Sequence, residues 1–299
     1  MEHVFDEGQA LICPLCHKPL KQQANGSLQC VKKHCFDRSR RGYVNFAPGK
    51  GAQKYSKELF ECRRAIFQDG FYQPVVKALG DILLQRAKKP RARILDAGCG
   101  DGYYARELSA KFPNRLDMYA FDLSRDAIDL AARGENKVNW MVADLTNIPV
   151  KNGGMDGVLD IFTPANYGEF SRVLAPNGLL IKVIPGEEYL IQLRKAAAEQ
   201  LRNAVYSNER VTDYFEKHFA LIDRRRITHT LPVNEEQKKN FSRMTPMMFG
   251  VDTDALDLSA IQEMTVDVEI LVGRRLPSAG KKPAIPEKKP LNAGKKQKA

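Results

Sequence analysis

The chain has 299 residues, 43% of them hydrophobic, a formal net charge of +11 and six cysteines. That length carries two compact domains, or one domain with attachments. No apolar run approaches the ~20 residues of a membrane span, and the stretch from Met1 to Cys13 lacks the basic-then-apolar order of a signal peptide. A cytoplasmic protein with no membrane partner is expected.

Four of the six cysteines fall between Cys13 and Cys35, while Cys62 and Cys99 stand apart. In a cytosolic chain such clustering reads as metal binding rather than disulfide formation. The spacing C-x2-C-x13-C-x3-H runs through Cys13, Cys16, Cys30 and His34. A C-x2-C pair in a tight turn aims two thiolates at one point. Asn25, Gly26 and Ser27 form a hairpin signal, with Asn and Gly supplying positive φ, that folds the later ligands back onto the first pair. Zn2+ accepts such sulfur and imidazole donors in closed tetrahedral sites. His17, directly after Cys16, is badly placed to join them. Cys35 competes with His34 for the fourth position, because C-x4-C also occurs in zinc ribbons. Four protein ligands leave no open coordination position, so the site is expected to be structural. A redox role for Cys13 and Cys16 lacks the βαβ surroundings it requires.

Further along, Ile94 and Leu95 end a predicted strand at Asp96, and Gly98, Gly100 and Gly102 follow before the helical spacing of residues 103–112. This strand, glycine turn and helix let a ligand approach the backbone closely. The pattern is G-x-G-x-G rather than the G-x-G-x-x-G of dinucleotide folds, so no pyrophosphate is required. A second strand ends in Asp122, 22 residues after Gly100, where an acid accepts from both hydroxyls of a ribose. A third ends at Asp144, whose carboxylate beside the apolar Leu145 suits an adenine amino group and ring face. A fourth (155–162) leads through Thr163 to Asn166 into a helix at 167–176, and residues 177–185 form a fifth. Regular alternation of strands and helices predicts an α/β fold with a parallel, doubly wound sheet. Residues 219–233 and 265–275 read as a closing antiparallel hairpin.

From Gly273 to the end there are nine Lys or Arg and a single acid, Glu287, so this stretch holds +8 of the total charge. With few large apolar residues it is expected to be disordered, and its lysine pairs suit a polyanion without reading its sequence.

These residues resemble the class I S-adenosyl-L-methionine (SAM)-dependent methyltransferases. The stretch from Asp96 to Gly102 matches that family's first motif, Asp122 its acid after the second strand, and Asp144 its adenine-side acid. The pairing of a zinc module with this sheet is more specific. "CPLCHKPL", "CVKKH", "RRAIFQDGFYQPV", "DAGCGDGYY", "IFTPANYGEFSRVLAPNGLLIKVIPGEEYL" and "MTP" resemble the 23S rRNA guanine-N1 methyltransferases, over nearly everything before the tail.

The resemblance implies a Rossmann-like methyltransferase sheet with an N-terminal zinc-binding module. It divides the chain into a zinc-binding RNA-recognition module (1–48), a linker contributing to the cofactor site (49–75), a methyltransferase domain (76–275) and a basic tail (276–299). It implies SAM and a structural Zn2+ as cofactors, with the latter on Cys13, Cys16, Cys30 and His34. The cofactor contacts it implies are Tyr72, Asp96, Gly98, Gly100, Asp101, Asp122, Asp144, Leu145 and Tyr189, the last at a position where relatives often carry histidine. The implied partner is 23S rRNA or a ribosomal assembly intermediate, and relatives also form homodimers. "YSKELFECRR" resembles the Gram-positive branch, associated with resistance to tylosin-like macrolides.

No catalytic base is identified. Asp160 is a candidate proton acceptor, with a structural strand-end carboxylate as its alternative. Asn166 would meet the guanine edge or cap the next helix, and Phe162 would stack on the base or join the core. Arg38, Arg40, Arg41, Lys50, Lys54 and Lys57 are candidate RNA contacts, around a cleft expected between the zinc module and the sheet. The alternative function is methyl transfer to a small molecule of quinone type, which needs neither a zinc module nor a basic tail. Binding of RNA without catalysis is a further alternative, opposed by the near-complete cofactor motif.

Overall fold

In the computed structural model, side chains along the parallel strands alternate between two cores. Residues 5–6, 9–49, 56–86, 89–134, 137–201 and 207–276 are described. Lys50, Lys54 and the tail from 277 lie outside them.

The main sheet contains β1 (Ala92–Ala97), β2 (Leu116–Asp122), β3 (Val138–Val142), β4 (Met155–Ile161), β5 (Leu174–Pro185), β6 (Phe219–Pro232) and β7 (Glu263–Arg275). Its spatial order is β6-β7-β5-β4-β1-β2-β3, with a short strand at Val44–Asn45 added beside β3. β1 to β5 run parallel, and β7 enters antiparallel between β5 and β6. Strand order reverses at β1, which pairs with both β2 and β4. That switch point opens a crevice at the carboxyl ends of the strands.

Ile94, Met118 and Ala120 face one core, under helices α1 (Lys57–Gln68), α2 (Gln73–Arg86), α3 (Tyr103–Lys111) and α4 (Arg125–Ala131). Leu95, Tyr119 and Phe121 face the other, under α5 (Tyr167–Val173) and α7 (Glu209–His218). Short α6 (Ile191–Ala196) and α8 (Glu235–Met244) add Leu193 and Phe241 to the first core. The fifth strand begins at Leu174, three residues before the predicted Asn177, and α5 is correspondingly shorter. Pro176 cannot continue a helix, and Val173 and Leu174 pack fully buried where the chain turns extended.

The N-terminal module is a three-stranded antiparallel ribbon, Leu20–Gln22, Leu28–Cys30 and Cys35–Phe36. Its hairpin closes at Gly26, φ 83°, while Asn25 Oδ1 accepts from the Ser27 amide (3.1 Å) and hydroxyl (2.8 Å). The ribbon does not stand apart from the sheet. Leu11, Leu20, Leu28 and Phe36 belong to the same core as Phe121 and Phe170, and Val44–Asn45 pairs in parallel with Met141–Val142. Buried Asp6 fastens the junction: its carboxylate accepts from the Ala10 and Leu11 amides and from Tyr119 Oη at 2.9 Å. The Asp6 amide donates to Asn139 Oδ1 at 2.7 Å. Nothing in the local sequence signals this docking, because Tyr119 and Asn139 lie more than a hundred residues from Asp6.

Candidate functional sites

The ribbon brings Cys13, Cys16, Cys30 and His34 together, with one donor atom from each lying within 4.8 Å of every other. Cys13 Sγ is 3.3 Å from His34 Nδ1, and Cys30 Sγ is 3.6 Å from both His34 Nδ1 and Cys16 Sγ. Two tight turns aim them. His17 (φ 56°) donates its amide to the Cys13 carbonyl, and Lys33 (φ 65°) donates to that of Cys30. The side chain of Cys35 is exposed on the adjoining strand, outside the cluster. Three sulfurs and one imidazole nitrogen, which together fill a tetrahedral set, fit a structural zinc ion.

At the carboxyl ends of β1, β2 and β4 lies a cleft of 1420 Å³. Gly98, Gly100 and Gly102 have φ of 71°, 55° and 77°, values that favour glycine. A Cβ on Gly98 would collide with the Thr163 side chain, and one on Gly102 with Trp140. The turn is therefore packed beneath while its upper surface faces the cleft.

Asp96, Gly98, Gly100, Asp101, Asp122, Tyr72 and Tyr189 all line this space. Asp122 Oδ2 accepts from the Gly100 amide at 3.0 Å and Oδ1 from the Ser124 amide at 2.8 Å. Asp101 is buried against Arg106, 3.5 Å away. Asp96 Oδ2 is buried without a partner among the described residues. Burial, reinforced by the neighbouring Asp122 and Asp101 carboxylates, pushes the Asp96 pKa up to about 8. Tyr72 and Tyr189 share a hydrogen bond at 2.7 Å, and burial raises both phenols. A glycine floor, an unpaired buried carboxylate oxygen and acids at successive strand ends fit an adenosyl amino acid with hydroxyls and an ammonium to satisfy.

Asp144 and Leu145 are not brought into the lining. Asp144 Oδ1 accepts from the Thr146 amide (2.8 Å) and hydroxyl (2.7 Å), while Leu145 packs against the second core. The carbonyl of Leu145 accepts from Asn166 Nδ2. Asn166 Oδ1 caps α5 by accepting from the Glu169 amide at 3.1 Å, the helix-capping alternative.

Asp160 is fully buried and paired with Lys182 Nζ at 2.7 Å. Burial raises its pKa to about 6 against the lowering effect of that ammonium. Lys182 itself lines the cleft and donates to the Thr163 carbonyl at 3.3 Å. Phe162, 38% exposed with φ 54°, leans on Tyr189 with ring centroids 5.6 Å apart. A left-handed phenylalanine is uncommon, and such strain gathers at ligand sites.

Sequence reasoning missed much of the remaining wall. Phe60, Arg63 and Phe67 project from one face of α1, and Met244 to Met247 with Phe249 project from the end of α8 onward. The helical spacing of the first three was the available signal. No residue of 9–49 lines the cleft, so the expected cleft between zinc module and sheet is formed instead by α1, the sheet and the segment after α8. Within the ribbon region, Arg38 is held by the Gly42 carbonyl and lies over the Phe5 ring, and Arg41 pairs with Asp129. Arg40 is exposed, and Lys57 pairs with Glu61.

This is a class I SAM-dependent methyltransferase joined to a structural zinc ribbon. Residues 11–57 match the family described as RlmA, N-terminal, a zinc ribbon, and residues 94–178 match a methyltransferase domain. A Bacillus subtilis (strain 168) protein, provisionally named 23S rRNA (guanine-N(1)-)-methyltransferase YxjB, is 34% identical over 88% of this chain and 96% of its own length. The 23S rRNA (guanine(748)-N(1))-methyltransferase of Streptomyces fradiae is 29% identical over 89% and 97% respectively. Among solved structures, the YcgJ protein from Bacillus subtilis superposes with TM-score 0.47 at 14% identity, covering 68% of this chain and 99% of that one. The chain belongs to the 23S rRNA (guanine-N1)-methyltransferase family.

Proposed function

We propose that the protein methylates N1 of a guanine in a 23S rRNA hairpin near the peptide exit tunnel, as naked RNA or within a ribosomal assembly intermediate. The observation that carries this reading is the aromatic shelf beside the cofactor turn. Phe162, backed by Tyr189, presents a partly exposed ring in the cleft, and Phe249, 49% exposed, lines the same cleft from the segment after α8. An unstacked base needs such a surface.

SAM, when bound, supplies a methyl group already activated on sulfur. The chain supplies position. Asp96, Gly98, Gly100, Asp101, Asp122, Tyr72 and Tyr189 would hold the nucleoside and amino acid, and Phe162 would orient the guanine. Lys182, held by Asp160 and bonded to the Thr163 carbonyl, fixes the turn that carries Phe162. Asp160 is itself absent from the cleft lining, which favours this supporting role over proton removal. The N1 proton would then pass to solvent.

The ribbon would grip the hairpin outside the cleft through exposed side chains such as Lys32, Lys33 and Arg40. No helix among the described residues is long and apolar enough to cross a membrane, which fits work on ribosomal RNA in the cytoplasm. A homodimer would present two ribbons to one RNA. A methyl group on an exit-tunnel guanine would also crowd a tylosin-like macrolide.

The test is transfer of labelled methyl to unmodified 23S rRNA, followed by mass-spectrometric mapping of the modified nucleotide. A single N1-methylguanine in one hairpin is expected, and its position decides between neighbouring guanines. Transfer to a quinone fraction but not to RNA would overturn the reading. Macrolide susceptibility of cells with and without the protein tests the resistance role.

A further inference from the structure

The glycine turn is ringed by Asp96, Asp101 and Asp122. Such a ring suits ribose hydroxyls and an α-ammonium, but it repels the α-carboxylate that the methyl donor also carries. A cation facing that carboxylate would offset the repulsion. Lys182 is committed to Asp160 and Arg106 to Asp101, Arg194 donates to the Glu187 and Tyr189 carbonyls, and Arg210 enters the lining from α7, on the other core from α1. Arg63, on α1, is uncommitted: it forms no salt bridge among the described residues, and its only hydrogen bond there runs from Nη2 to the Met244 carbonyl at 3.1 Å. Its guanidinium also lies 5.9 Å from the Phe60 ring centroid. Those two contacts leave Nη1 and Nε free. Nη1 sits over the glycine turn, 3.6 Å from where a Cβ on Gly100 would lie. Burial raises the pKa of Asp101, Asp122 and the Tyr72, Tyr104 and Tyr189 phenols, and the Arg63 charge works against that rise at all five, which places it beside the glycine turn and the tyrosine wall.

We infer that Arg63 is the carboxylate subsite of the cofactor pocket, with its free guanidinium edge receiving the α-carboxylate of the donor's amino-acid arm. The planar fork of arginine matches a carboxylate bidentately, and lysine cannot reproduce that match. Arg63 thereby selects adenosyl amino acids against adenosyl thioethers and sulfoniums that lack the carboxylate. The Met244 contact adds a consequence. The same guanidinium holds the carboxyl end of α8, where the segment lining the acceptor side begins. This assignment rests on the methyl-donor site and is independent of which acceptor the enzyme uses.

Calorimetric titration of the full chain tests it, using SAM, S-adenosylhomocysteine and decarboxylated SAM as ligands. Arg63→Gln should weaken SAM and S-adenosylhomocysteine by about 10- to 100-fold, the range for a lost charge-assisted hydrogen bond. It should leave decarboxylated SAM within about twofold, because a ligand without the carboxylate has lost the partner already. Arg63→Lys, which keeps the charge and the apolar stem, should give a smaller loss confined to the same two ligands, and it serves if the glutamine variant does not fold. Equal weakening of all three ligands would show that Arg63 acts only by holding the Met244 carbonyl, and would overturn the assignment. Unchanged affinity for SAM would overturn it too. RNA plays no part in the titration, so its outcome is separable from the proposed acceptor.

Discussion

The hydroxyls of Tyr72 and Tyr189 lie 2.7 Å apart, although 117 residues separate them in the chain. One comes from the turn between α1 and α2, the other from the loop after β5. Their bond ties together two segments that line the cleft. Each ring is at most 9% exposed. Removing one hydroxyl leaves the other with a buried, unpaired group at a cost of about 1–3 kcal/mol, while removing both together costs less than the two single losses combined. Tyr72→Phe, Tyr189→Phe and the double variant, compared by chemical denaturation, should show that non-additivity. Additive losses would mean that water satisfies each hydroxyl separately.

Glycines with the same backbone sign should not respond alike. A Cβ on Gly102, φ 77°, would run into Trp140 and lie 2.8 Å from the Ala131 Cβ, whereas one on Gly134, φ 79°, would meet nothing within 4 Å. Gly134→Ala therefore incurs only the left-handed backbone penalty of about 1–2 kcal/mol. Gly102→Ala adds overpacking of about 1–3 kcal/mol. Melting curves should rank them in that order, and donor affinity should fall for Gly102→Ala alone.

How much of this was legible in the sequence follows from range. The glycine turn, Asp122 and the zinc ligands are local patterns, fixed by turn chemistry and strand ends, and the fold gathers Gly98, Gly100 and Asp122 at one cleft and the four ligands in one cluster. Asp144 reads equally well as a strand-end acid, but it lies outside the cleft lining, with its Oδ1 held by Thr146 two residues later. Arg63 and Phe60 carried only helical spacing, which says which face is shared but not what it faces. The fusion of the ribbon with the sheet through Asp6, Asn139 and Val44–Asn45 depends on contacts between distant segments. So does the pairing of Asp160 with Lys182.

Asp96 makes stability fall as pH rises. In the folded state burial lifts its pKa from 3.8 to about 8, so between those values the native chain holds a proton that the unfolded chain has released. The contribution is complete below about pH 4 and is lost as pH climbs through about 8. Asp160, raised to about 6, adds a second loss within the lower half of that window. Urea denaturation of the cofactor-free protein from pH 5 to 8 should therefore show declining stability, with a flatter profile for Asp96→Asn. A profile for Asp96→Asn as steep as that of the parent would mean the carboxyl is ionised throughout.

Zinc loss should injure more than the ribbon. The ribbon shares its core with Leu95, Phe121 and Met141, and the short strand Val44–Asn45 that follows it covers the β3 edge. Metal binding drives folding of comparable isolated modules by an apparent ~10–16 kcal/mol. Cys30→Ser should lower the bound zinc well below one per chain by elemental analysis and destabilise the main sheet as well. Cys35→Ser should keep full zinc and parent stability, since that side chain is exposed outside the cluster. If Cys35→Ser lost the metal and His34→Ala kept it, the fourth ligand would be reassigned.

The basic tail makes a prediction about salt. Residues 276–299 hold seven lysines and one acid, and lysines neutralise phosphates without choosing among sequences. Each phosphate contact contributes about 0.7 to 0.9 to the slope of log affinity against log salt, by release of condensed counterions. Removing this segment should lower RNA affinity at low salt, reduce the slope by one or more such increments, and leave the position of the modified guanine unchanged. Selection of the guanine would then belong to the ribbon and cleft. A truncated protein with the parent's slope would show that the tail never reaches the phosphates. A shift in the modified position would show instead that it helps to set the RNA's register.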